Sequence, residues 1–126
     1  MRMLPWIIGG TLALVAVAAV AILLLSNASP NVGDRTKLHR TFTAAEQHTL
    51  DTVTVSRAEL SAATCGDALH CWIAVDGKVY DVSGVPSWVR GKHHGVKPGA
   101  DVTESFVKSH HGITYLQKLP VVGSLE

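Results

Sequence analysis

Two histidine pairs, His93-His94 and His110-His111, are the residues of this chain best suited to chemistry. Imidazole is the commonest metal ligand among side chains, and its two ring nitrogens are distinct. Between the pairs lie a loop bearing Gly95, Pro98 and Gly99 and one short helix candidate. A loop followed by a helix can aim two imidazoles at one object from opposite sides. Divalent-metal capture by four histidines is one reading, but no nearby carboxylate-and-cysteine set defines such a site. No nucleophile–base arrangement accompanies them, so the chain is not expected to be an enzyme.

The elements that must position these side chains follow from pattern. Thr52 to Ser56 alternates and is rich in β-branched residues, which predicts a short strand. Ser56 with Glu59 forms a capping-box signature for a helix over Arg57 to Ala63. Cys71 to Val75 and Lys78 to Val82 read as strands joined by Asp76-Gly77, a strong two-residue hairpin signal. Pro86 opens a short helix carrying Trp88 and Val89. Residues 91–100 read as loop. Asp101 is an N-cap candidate with Glu104 placed to reach back, for a helix bearing Phe106 and Val107. Ile113 to Leu119 is a second short helix closed by Pro120, and Val121 to Leu125 a final strand. Strand, helix, hairpin, short helices and strand make an α+β pattern.

The first quarter is different. Ile7 to Leu25 carries no charge, and a bilayer-spanning helix needs roughly 20 apolar residues. Residues 1–28 are therefore expected to be an N-terminal transmembrane anchor, or a cleaved signal segment ending near Ser26-Asn27-Ala28. The anchored reading implies a single-pass protein of the cell membrane with its C-terminal domain on the extracytoplasmic side. Residues 29–51 are polar and read as a linker, with a helical turn over Thr41 to Leu50, and residues 52–126 as the folded domain. Cys65 and Cys71 are either a short-loop disulfide, which suits an exported domain, or two independent thiols, one in the core. Eleven Lys and Arg against ten Asp and Glu give a net charge of +1, so there is no electrostatic footprint for nucleic acid.

The stretch Cys71-Trp72-Ile73-Ala74-Val75-Asp76-Gly77-Lys78-Val79-Tyr80-Asp81-Val82 resembles the opening hairpin of cytochrome b5-type haem-binding domains. Pro98-Gly99-Ala100-Asp101-Val102-Thr103-Glu104-Ser105-Phe106 followed by His111-Gly112 resembles that family's second half, where a helix precedes an axial histidine. Leu119-Pro120-Val121-Val122-Gly123 is similar to its closing strand. The best-known members carry the first axial histidine in His-Pro-Gly-Gly, with an extra helix before the second. Here the matching segment is Gly91-Lys92-His93-His94-Gly95, and the spacing to His111 is shorter. This resembles a compact bacterial branch of haem/steroid-binding proteins.

The resemblance implies a small cytochrome b5-like domain holding haem b, its iron ligated by His93 and His111. His94 and His110 would be their solvent-facing neighbours, although a shift of one position exchanges roles within a pair. Two axial histidines leave the iron able to pass electrons and little else. The implied function is that of a membrane-anchored carrier of single electrons between redox partner proteins. The alternative is a non-redox module of the same fold for haem, steroid or another small apolar ligand. Gly95 and Gly99 are expected to let backbone approach the ring. Val85, Trp88, Val89, Val96, Phe106, Ile113 and Leu116 are the expected apolar lining. Lys92 and Lys97 are candidates to meet a haem propionate.

Overall fold

The computed structural model describes residues 15–20, 29–66, 70–90 and 93–126. The chain divides into two compact units, Met1–Pro30 and Asn31–Glu126. In the first, residues 15–20 are helical, while most of Ile7 to Leu25 lies outside the described residues. Among the described residues no helix is long and apolar enough to cross a membrane. The expected single-pass placement in the cell membrane, domain outside, is corrected on that finding.

The second unit is built on a four-stranded sheet of order β1-β4-β3-β2. The strands are β1 (Thr54–Val55), β2 (Trp72–Val75), β3 (Lys78–Asp81) and β4 (Val121–Leu125). β2 and β3 form the expected antiparallel hairpin, with Val75 opposite Lys78. Asp76 and Gly77 have φ of 51° and 72°, the double positive φ that a two-residue type I′ turn demands. β4 runs antiparallel to β3 and parallel to β1, which brings the C-terminal strand between the first strand and the hairpin. The outer edge of β2 is covered by the loop before the second histidine pair: Ala74 N donates to Ala100 O and Val102 N to Ala74 O.

Strand alternation sorts the core into two sides. Ile73, Val75, Tyr80 and Val82 pack with Leu38, Trp88, Val102, Val107 and Leu116. Ala74 and Val79 face the other way, against Val55 and Leu60. Leu60 belongs to α2 (Arg57–Ala62), whose Ser56–Glu59 capping box forms as expected. Cys65 and Cys71 are disulfide-bonded, closing the connection between α2 and β2. Tyr80 is fully buried, its hydroxyl has no partner among the described residues, and burial pushes its pKa up to about 12. An unmade buried hydrogen bond costs about 1–3 kcal/mol. Tyr80→Phe is therefore expected to leave urea stability unchanged or raise it by about 1 kcal/mol; a clear loss would mean that the hydroxyl has a partner.

The supposed linker is part of this unit. Residues 35–38 form a 3-10 turn, and α1 (Ala44–Thr52) carries its own Thr43–Glu46 capping box. Leu38 is in the core, and Lys37 and Arg40 are buried. Arg40 donates to Leu116 O at 2.9 Å, Leu119 O at 3.0 Å and Glu46 Oε1 at 2.8 Å. Its guanidinium also lies 4.6 Å from the Phe42 ring centroid and 5.4 Å from that of Tyr80. Burial of these two cations is tolerated because carbonyls and aromatic faces replace water around them. The compact unit that contains residues 52–126 thus starts at Asn31 and takes in most of residues 29–51.

Candidate functional site

The first histidine pair is set by a short helix and a tight turn. Pro86 occupies the first position of α3 (Pro86–Val89), where its missing N–H is no loss. His93 and Val96 exchange both backbone hydrogen bonds, at 2.8 and 2.9 Å, around His94 and Gly95, whose φ values are 49° and 79°. Gly95 serves this turn. The turn fixes His93 at its base and leaves His94 exposed. Ser87 Oγ lies 2.7 Å from His93 Nδ1, and Trp88 stacks on the His93 ring at 4.7 Å and 14°. With Nδ1 engaged, Nε2 of His93 is the free ligand atom; such an outer partner commonly fixes the tautomer of a metal-binding histidine.

The second pair follows α4 (Thr103–Lys108) and precedes α5 (Ile113–Gln117). Asp101 helps start α4, but by accepting from Thr103 N at 3.0 Å and Thr103 Oγ1 at 2.6 Å, one turn residue earlier than expected, with Val102 as the N-cap. Glu104 does not reach back; it pairs with Arg35 at 3.0 Å. Thr103 Oγ1 in turn accepts from Asp76 N at 2.8 Å, tying the helix start to the hairpin. His111 N donates to Ser109 Oγ at 3.3 Å. The Nδ1 of His111 is buried and, among the described residues, has no hydrogen-bond partner.

The two walls bring the pairs together. The His93 and His111 ring centroids are 5.7 Å apart and those of His94 and His111 6.4 Å. One ligand atom from each of His93, His94 and His111 lies within 4.8 Å of the others. Burial, then the neighbouring His94, lowers the pKa of His93. Burial, then His110, His93, His94 and Lys37, lowers that of His111. Both shifts favour the neutral imidazole, the form that binds metals.

Between the walls opens a cleft of about 730 Å³, within the range of small-molecule sites. Of the residues expected at the haem, Val85, Trp88, Val96, Phe106 and Leu116 line this cleft with the histidines. Four expected residues do not. Val89 and Ile113 are 47% and 36% exposed at the ends of their short helices. Gly95 is spent on the turn. Gly99 faces α2, where an added Cβ would come 2.9 Å from the Thr64 side chain and 3.2 Å from the carbonyls of Leu60 and Ser61. Lys92 lies outside the described residues and Lys97 is not in the lining, whereas Lys108 is. The cleft is also lined by Ile73, Ser87, Val102, Ser105, Ser109, Tyr115 and Leu119, none of them among the residues expected at the haem. Helical spacing would have found several, since Val102, Ser105, Phe106 and Ser109 recur at three- and four-residue steps along one face. Ser87 leaves no such signal.

Residues 56–126 match the family model described as the cytochrome b5-like haem/steroid-binding domain. The chain belongs to this family. Two solved structures are similar to it. A cytochrome b5 domain protein of Hadesarchaea YNP_N21 is 38% identical, with a TM-score of 0.55 over 60% of this chain and 100% of that one. A cytochrome b5 domain protein of Methanococcoides burtonii is 33% identical, with a TM-score of 0.55 over 60% of this chain and 99% of that one. No curated protein matches the chain.

The residues of this cytochrome b5-like cleft fit a haem. The ligand atoms of His93, His94 and His111 lie within 4.8 Å of one another, close enough for imidazoles from the two walls to hold one metal ion. The walls between them are largely aromatic and aliphatic. The donor set is neutral nitrogen, which suits haem iron.

Proposed function

We propose that the domain binds b-type haem through His93 and His111 and carries single electrons to and from a redox partner protein. The observation that carries this reading is the convergence of His93 and His111 from opposite walls of one apolar cleft, with centroids 5.7 Å apart. Haem iron filled on both axial faces exchanges electrons and keeps no position open for oxygen or peroxide, so we read the protein as a carrier rather than an enzyme. In this reading Ser87 holds the tautomer of His93, and Trp88 fixes the plane of its ring. Val96, Phe106 and Leu116 exclude water from the ring faces. Lys108 is the lysine placed at the cleft to meet a carboxylate.

A second reading is favoured by the apolar lining: uptake of a steroid or other flat apolar molecule without redox work. Potentiometric titration of the protein supplied with haem separates the two. The electron-carrier reading expects a reversible one-electron transition at one haem per chain. Stoichiometric steroid binding by a protein that takes up no haem would replace it.

A further inference from the structure

Residues 31–43 precede the segment that matches the family model, yet their side chains and backbone hold the wall that carries His111. Asn31 Nδ2 donates to His110 O at 2.9 Å, and Gly33 N to Val107 O at 2.8 Å. Lys37 Nζ donates to Ser109 O at 2.8 Å and His111 O at 3.0 Å. The same ammonium lies 4.7 Å from the centroid of Phe106, a cleft-lining ring. Lys37 is 3% exposed and among the described residues makes no ion pair with a carboxylate. Asp34 acts on it only at a distance, and a buried cation with no carboxylate in ion-pair contact is costly. Its place at the C-terminal end of α4, where carbonyl ends concentrate negative partial charge, is what makes it tolerable.

We propose that Lys37 is a positioning residue for the second axial ligand: by holding the Ser109 and His111 carbonyls it fixes the backbone on which the His111 imidazole turns. This rests on the haem reading above. Two consequences follow from chemistry alone. A ligand held by fewer contacts lets haem leave faster. Reduction of the iron adds an electron, and a fixed cation beside the ligand favours that added charge, so the potential falls when the cation is removed.

The test compares the haem-loaded full chain with Lys37→Met, which keeps much of the stem and loses the charge and both hydrogen bonds, and with Lys37→Arg, which keeps the charge. Haem transfer to an excess of an acceptor apoprotein, the midpoint potential and the ferric electron paramagnetic resonance spectrum are read for each. Lys37→Met is expected to lose haem about 10-fold faster or more, the effect usual for partners of a metal ligand, with a lower potential and altered g-values. Lys37→Arg is expected to recover most of the potential. Unchanged transfer rate, potential and g-values in Lys37→Met overturn the proposal. If Lys37→Met does not fold, Lys37→Gln carries the test: faster haem loss and shifted g-values support the proposal, and values equal to the unsubstituted protein overturn it. Failure of the unsubstituted protein to show two-imidazole ligation would be a failure of the haem reading instead, and is distinguished at the first spectrum.

Discussion

His111→Ala is expected to abolish the low-spin, six-coordinate haem spectrum and to weaken haem retention by at least about 100-fold, since even the outer partners of a metal ligand are worth 10–100-fold. His93→Ala is expected to do the same. The reason lies in how each ring is held. Ser87 and Trp88 hold the His93 ring, and Tyr115 packs on the His111 ring with centroids 4.2 Å apart. The exposed neighbours should matter less, and His94→Ala and His110→Ala are expected to keep the low-spin spectrum. Absorption spectra of the four variants, with haem transfer to an acceptor apoprotein, make the comparison. A low-spin spectrum surviving in His111→Ala but lost in His110→Ala or His94→Ala would move the ligand to that neighbour.

The second large effect is expected at Arg40. Its side chain is fully buried and satisfies the Leu116 and Leu119 carbonyls while pairing with Glu46 at 2.8 Å. Arg40→Ala leaves those groups unpaired around a cavity, at an expected cost of about 3 kcal/mol in urea unfolding. Arg40→Lys recovers only part of this, because one ammonium cannot reproduce the planar fork. Exposed Arg57 is the control, with Arg57→Ala expected to change stability by less than about 0.5 kcal/mol. A loss under about 1 kcal/mol at Arg40 would mean that residues 31–43 only lie on the domain rather than forming part of it.

What was legible in the sequence was local. The Asp76-Gly77 turn, the Ser56–Glu59 capping box and the strand alternation around Ile73 and Tyr80 depend on neighbours within a few residues, and they stand in the structure where the pattern placed them. The family resemblance rests on that hairpin together with Pro98 to Phe106, His111-Gly112 and the closing strand. Residues 31–43 read as linker in sequence because the signal that orders them is not local: Lys37 and Arg40 meet carbonyls 72 to 79 residues away. Polar residues without periodicity look like a linker until their distant partners are known. Gly99 was assigned to the ring for its lack of a side chain, a property that close packing against α2 requires equally. The first histidine pair was the least readable part of the site. Its geometry depends on a positive φ at His94 and on Ser87, neither of which pattern reveals.

The most direct measurement of the central claim is the absorption and electron paramagnetic resonance spectrum of the purified full chain supplied with haem. The account predicts uptake of one haem per chain and a low-spin ferric signal of two imidazole ligands. A high-spin, five-coordinate spectrum, or no haem uptake, would contradict it.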